Sequence, residues 1–263
     1  MTADPEAATW IDAARAILDH IEGSQMDAID ELAGWSTDAI AVGGLVHLFG
    51  SGHSRIPLEE MFPRYGSFSG FHPMAELSMT FHTEVVGSNG QRQAMFIEQV
   101  EGLAEVILSN FEFGSSDVMV VFSASGRSAV PVEIAMGAGR RGLRVAAVTS
   151  LAESMAADPT HPSGTRLLDH ADLVIDIGTP AGDALVHVPG LGLPVGPGST
   201  LANTAVVNEL KVRVAGRLVE RGITPAVLTS PSLVGPSESH LLFDQAYSDY
   251  AERLARVLRK PSD

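Results

Sequence analysis

Apolar residues in the first part of the chain recur every three or four positions: Trp10, Ile11, Ala14, Ile17, Leu18, Ile21, Ile29 and Leu32. That spacing lines one face of a helix, so residues 6–32 are predicted as one long amphipathic helix, broken near Gly23. The texture then changes to short, nearly unbroken apolar runs. LVHLF (45–49), DVMVVF (117–122), RVAAVT (144–149) and ADLVIDI (171–177) read as strands, with a weaker one at 67–72. Between them, residues 91–110 carry Met95, Phe96, Val100, Leu103, Ile107 and Leu108 at helical spacing, and 129–141 reads as a second helix.

Strands alternating with helices need crossover connections, which give a parallel sheet covered on both faces. The expected fold is α/β: a three-layer α/β/α sandwich around a five-stranded parallel sheet, with extra N- and C-terminal helices. Residues 178–200, GTPAGDALVHVPGLGLPVGPGST, are dense in glycine and proline, and ALVHV with LGLPV suits a short hairpin or flap. A helix over 200–221 follows, burying Leu201, Val206, Val207, Leu210, Val214 and Leu218, and a last helix runs over 238–258. With no internal repeat and no linker, the 263 residues are read as one domain.

Composition narrows the partners. The 45% hydrophobic and 19% charged residues are those of a globular chain. A net charge of −15 repels polyanions, so nucleic acid is a poor partner, and any phosphate must be held by local donors. The chain has no cysteine, which excludes disulfides, thiolate metal sites and a cysteine nucleophile. The acidic start MTADPEAATW lacks a signal-peptide pattern, and no apolar run approaches membrane-spanning length. A cytoplasmic protein without membrane contact is the expectation.

The candidate chemistry lies where strands end. The first strand runs into FGSGHSR (49–55) and the third into FSASGRSAVP (122–131), each leading straight into a helix. Ligands of open α/β sheets sit beyond the carboxyl ends of strands, and a helix start offers unpaired N–H groups to phosphate. Glycine allows close backbone approach, serine hydroxyls donate, and Arg127 adds a bidentate cation. Serines here also serve as plain helix caps and turn residues. Two such loops, with a third segment GPGST (196–200) opening another helix, favour a phosphate site. A dinucleotide fingerprint is absent, as is a phosphate-loop lysine.

The S-x-S-G-x-S pattern after the third strand, following G-S-G-x-S after the first, resembles the SIS (sugar isomerase) domain family over roughly residues 40–215. The match is nearest to small bacterial SIS proteins labelled phosphoheptose isomerases, through GSGHS (50–54), SASGRSAVP (123–131), TSL (149–151), HPSG (161–164), GDA (182–184) and GPGST (196–200). The resemblance implies a flavodoxin-like fold and a phosphorylated sugar as ligand. It implies that Ser51, Ser54, Ser123, Ser125 and Ser128 hold phosphate or sugar hydroxyls; the positions of Gly52, His53, Gly126, Arg127, Ser199 and Thr200 in the same loops and helix start add them to the expected contacts. It also implies a homo-oligomer, dimer or tetramer.

Isomerising an aldose to a ketose through a cis-enediol needs a carboxylate or histidine base and a polariser of the carbonyl oxygen. FHPMAE (71–76) offers His72 and Glu76, with Pro73 suited to a first helical position. FHTE (81–84) places His82 and Glu84 together. His240, near the start of the last helix, matches a site histidine that the phosphoheptose isomerases take from a C-terminal helix. His47 lies inside an apolar strand and reads as a core or interface residue. The metal ligands of phosphoheptose isomerases sit on the helix after the first loop, but here IPLEEMF (56–62) has Glu59 and Glu60 and no histidine. No cofactor is required; zinc, held elsewhere by imidazoles and carboxylates, stays open.

The same site suits amino-sugar phosphate isomerisation with deamination, or cleavage of a lactyl ether. It equally suits a phosphosugar sensor without turnover, acting through a protein partner. The apolar stripes of the first and last helices exceed what one sheet face needs, which predicts packing between subunits.

Overall fold

The computed structural model describes residues 9–80 and 90–258. Its centre is a five-stranded sheet of β1 (Val46–Gly50), β2 (Phe71–Met74), β3 (Val118–Phe122), β4 (Arg144–Thr149) and β5 (Leu173–Asp176). The spatial order is β2-β1-β3-β4-β5 and every pairing is parallel. Side chains alternate faces along a strand, and both faces here are apolar. Val46, Leu48, Val118, Val120, Ala146 and Val148 face one core, together with Leu58 and Met61 of the helix Ile56–Met61, while Phe49, Met119, Val121, Val145 and Ala147 face a second. The helix Ser199–Glu220 and the two N-terminal helices cover the first face; Leu103–Leu108 and Ala129–Arg140 cover the other. The expected three-layer α/β/α sandwich is the observed one.

Several element boundaries differ from the expectation. The N-terminal helix is two, Trp10–Ser24 and Met26–Ala41, and the break is at Gln25, not Gly23. Gln25 is useful there, because its side-chain oxygen accepts the Asp176 N–H of β5 at 2.9 Å. The helix expected over 91–110 is also two, Gly90–Ile97 and Leu103–Leu108. Gly102, at φ +80°, turns the chain between them and donates its N–H to the Glu133 carboxylate at 2.8 Å. The second strand starts four residues later than 67–72 suggested, and Pro73 lies within it rather than opening a helix. β2 is an edge strand, where a missing N–H is tolerated.

The glycine-rich segment forms a hairpin, Ala184–Val186 against Val195–Pro197, antiparallel. The apolar stripes of the first and last helices are only partly used inside the chain, since Ile11, Leu18, Leu241 and Tyr247 stay exposed. Ala14, Ile17 and Ile21 are buried, and Trp10 donates its indole N–H to the Pro197 carbonyl at 3.2 Å. The last helix, Pro236–Val257, closes over Phe62 through Tyr250, with ring centroids 5.0 Å apart, and Arg253 donates to the Ile40 and Gly44 carbonyls. Among the described residues no helix is long and apolar enough to cross a membrane.

Candidate functional site

The strand order reverses at β1: one connection leaves it toward β2, while β3 lies on its other side. Such a switch point opens a crevice at the carboxyl ends of the two strands. Gly50 of β1 is in register with Phe122 of β3, so Ser51 and Ser123 leave the sheet side by side. The local sequence forces both loops to turn sharply. A Cβ on Gly50 would stand 2.2 Å from the Ser54 carbonyl oxygen, so only glycine lets the first loop fold back on its strand. Gly126 takes φ +59° in the second loop, close against Thr149 and Leu167.

A carboxylate joins the two loops. Ser51 Oγ donates to Glu98 Oε2 at 2.8 Å, and Ser128 Oγ donates to Glu98 Oε1 at 2.9 Å. Ser128 occupies the N-cap of Ala129–Arg140, yet its hydroxyl makes no cap bond to that helix. Its acceptor side is filled by Gln99 Nε2 at 3.0 Å. The main chain of Glu98 is fixed to the same helix start, where its carbonyl accepts Val130 N–H at 2.9 Å. Ser123 and Ser125 accept the Gly126 and Arg127 N–H groups at 3.1 and 3.4 Å, and each keeps a hydroxyl proton to donate. Ser54 closes the first turn with its N–H on the Ser51 carbonyl at 2.9 Å, Gly52 takes φ +55°, and His53 is exposed at the rim. Arg127 reaches Glu153 Oε1 at 3.3 Å, leaving its buried Nε without a partner, and the other Glu153 oxygen accepts the Gly182 N–H.

The third expected segment is engaged differently. Asp183, at φ +62°, accepts Ser199 N–H at 2.7 Å, Ser199 Oγ–H at 2.6 Å and Gly198 N–H at 3.2 Å. The start of Ser199–Glu220, with Thr200 in its first turn, is thus capped by the protein's own carboxylate, and Ser199 is spent on that cap. A ligand contact from Ser199 would have to share its hydroxyl with Asp183.

The acid–base candidates fall apart into three groups. Glu76 follows β2, whose last residue Met74 pairs with Phe49, so it lies at the same end of the sheet as Ser51. His82 and Glu84 are outside the described residues. His72 and His240 are elsewhere. His72 is inside β2, opposite His47, three residues or about 10 Å from the strand ends that carry the loops. It is buried, and its Nδ1 lies 2.8 Å from His47 Nδ1; His47 Nε2 in turn lies 3.2 Å from Asp117 Oδ2. The Asp117 carboxylate also accepts Leu45 and Gly114 N–H groups at 2.9 and 2.7 Å. The carboxylate can only accept, so the proton of the His47–Asp117 contact is on His47 Nε2, and one of the two facing Nδ1 atoms donates to the other. Burial, and next the neighbouring His47, push the His72 pKa down to about 3. Burial alone would raise Asp117, but the hydrogen bonds from His47 and the two backbone groups hold it below the usual carboxylate range. His47 is therefore a satisfied core residue, and His72 belongs to the same core chain. His240 is exposed in a pocket with Tyr65, Pro231 and Phe243, 3.5 Å from Asp244. None of those residues belongs to a serine loop.

The helix after the first loop does not fit zinc. Glu59 is paired with Arg55 at 2.7 Å, and Glu60 accepts Asn208 and pairs with Arg64. Burial raises the Glu60 pKa, but those hydrogen bonds outweigh it and hold the carboxyl below its ordinary value. Among the described residues no group of three or more His, Asp or Glu is placed to hold a metal ion.

A parallel sheet of this order, with serine–glycine loops leaving both strands of its switch point, defines a doubly wound α/β protein with a crevice at that point. Residues 9–150 match the family described as SIS domain, and the chain belongs to that family. Similar relatives are a UPF0309 protein of Streptomyces avermitilis, 32% identical over 250 residues, covering 94% of this chain and 96% of that protein. Another, from Geobacillus kaustophilus, is 31% identical over 236 residues, covering 89% and 92%. Among solved structures, the fold is similar to a phosphoheptose isomerase from Francisella tularensis, with TM-score 0.49 and 13% identity over 78% of this chain and 94% of that one.

Sequence reasoning missed Glu98, Gln99, Glu153 and Asp183. Glu98 was absorbed into a helix running from 91 to 110; the one signal against that reading was Gly102, four residues on.

Proposed function

We propose that the chain binds a phosphorylated sugar in the crevice between β1 and β3 and isomerises it between aldose and ketose forms. One observation carries this reading: hydroxyls from both loops, Ser51 and Ser128, converge on a single anionic group, the Glu98 carboxylate. Donors that hold a carboxylate suit a phosphate oxygen equally well. Arg127 stands beside them, held by Glu153 rather than by a permanent buried partner at its Nε.

A sugar anchored by its phosphate in these loops extends its open chain across the sheet end toward Glu76. In the proposed step a carboxylate base, Glu76 with Glu84 as its counterpart, takes the proton from the carbon next to the carbonyl. The carbonyl oxygen takes a proton from the group that polarises it to give the enediol. The base then returns its proton to the neighbouring carbon, while the hydroxyl on the first carbon gives its proton back to the polarising group and becomes the new carbonyl. A serine hydroxyl of the loops, or the side chain of His53 or His82, polarises the oxygen. The phosphate stays bound throughout, so loop contacts lower the barrier by positioning.

The test is proton exchange at the sugar carbon in D2O, followed by NMR for pentose, hexose and heptose phosphates. Exchange with one of them, lost in Glu76→Gln or Glu84→Gln with binding retained, is the expected result. Tight binding of a sugar phosphate with no exchange and no release of ammonia or lactate would replace the enzyme with a sensor. Absence of binding by any phosphorylated sugar would overturn the reading entirely.

A further inference from the structure

The partners described for Glu98 are hydroxyls: Ser51 on one oxygen, Ser128 on the other. A carboxylate locked into a fold for structure alone usually has a cation or backbone N–H groups as partners. Glu153 and Asp183 illustrate that in this same molecule. Glu153 takes Arg127 and the Gly182 N–H, and Asp183 takes the Ser199 and Gly198 N–H groups. Glu98 instead borrows two neutral donors from two separate loops, and one of those donors, Ser128, forgoes its own helix cap to reach it. Its backbone is anchored by Val130 N–H, while the residue is half-buried.

We propose that Glu98 is a specificity-determining residue that occupies the phosphate seat when the site is empty and must be displaced by the ligand. This rests on the phosphosugar reading above and adds a selection rule to it. Ser51 and Ser128 hydroxyls cannot serve both Glu98 and a phosphate dianion, and the two anions repel each other at contact distance. Inorganic phosphate therefore meets a filled seat and offers the expelled carboxylate little in return. A sugar phosphate brings hydroxyl donors, and one of these takes over the carboxylate that its phosphate has expelled. The loss is recovered within the same complex, so the site prefers the sugar ester over the free anion.

The experiment is calorimetric titration of the full chain with inorganic phosphate and with the sugar phosphate that binds it, for wild type, Glu98→Ala and Glu98→Gln. Glu98→Ala removes the competitor without adding a donor; Glu98→Gln keeps the shape and removes the charge. Both variants are expected to bind inorganic phosphate at least about tenfold more tightly than wild type, one charge repulsion at a partly exposed site. Their affinity for the sugar phosphate rises less, so the preference narrows. Circular dichroism and thermal melts show which variants are folded, and either folded variant suffices. Unchanged or weaker binding of inorganic phosphate in a folded variant, with the wild type still binding the sugar phosphate, overturns the competitor role and leaves the function intact. Failure of wild type and variants alike to bind any phosphorylated sugar overturns the function and this inference with it.

Discussion

Replacing His72 by glutamine, and lowering the pH, tests the buried Asp117–His47–His72 chain directly. In the folded protein His72 titrates at about 3, against an ordinary 6.5, because burial and the adjacent His47 oppose its charge. The unfolded chain therefore binds a proton below about pH 6.5 that the folded chain refuses until about pH 3, so stability falls as pH falls through that window. Between about pH 7 and pH 4.5 the loss from this one residue is about 2.5 kcal/mol. Asp117 works in the same direction, since its folded pKa is depressed, but its contribution is lost only below the ordinary carboxylate value near 3.8. Measurements above about pH 4.5 thus isolate the histidine. Urea unfolding at several pH values, followed by circular dichroism, gives the slope. The wild type should show about one more proton taken up on unfolding than His72→Gln. Parallel slopes for the two proteins would refute the reasoning, whatever the absolute stability of the variant.

Two further substitutions probe the loops. Gly50→Ala puts a methyl 2.2 Å from the Ser54 carbonyl oxygen, which is backbone and cannot yield. It should cost about 3 kcal/mol in thermal unfolding and weaken sugar-phosphate binding together, and a stable variant with normal binding would contradict the tight-turn account. Asp183→Ala removes the cap of Ser199–Glu220 and should cost about 1–2 kcal/mol, with faster hydrogen exchange in the first turn of that helix. Unaltered exchange there would show that the three contacts do not hold the helix start.

The strands were legible because a parallel sheet buried on both faces must be apolar without interruption, as DVMVVF and RVAAVT are. The two serine loops stood out in the sequence because each places glycine next to serine directly after such a strand, and the structure sets them side by side. His72 misled for a physical reason. FHP looks like a strand end followed by a proline-opened helix, and only the sheet order reveals that this strand lies at the edge, where Pro73 fits inside it. Nor does local sequence reveal that His47 and His72, twenty-five positions apart, face each other across two strands. Glu98 was hidden by the apolar periodicity around it, which runs on through a break that Gly102 makes. Contacts set by tertiary pairing leave no trace in spacing.

These contacts also explain how a chain of net charge −15 can offer a seat to an anion. Long-range attraction is not available to it, so the donors must be local, neutral and preorganised. Preorganised donors facing an empty crevice would be poorly satisfied between ligands. The molecule meets that need with its own carboxylates. At the start of Ser199–Glu220 the substitution is permanent, because Asp183 takes backbone N–H groups and a hydroxyl in one cap. At the switch point the described partners of the Glu98 carboxylate are two serine hydroxyls, one from each loop. The difference in donor type separates a structural cap at the third helix from the seat proposed for a ligand between β1 and β3.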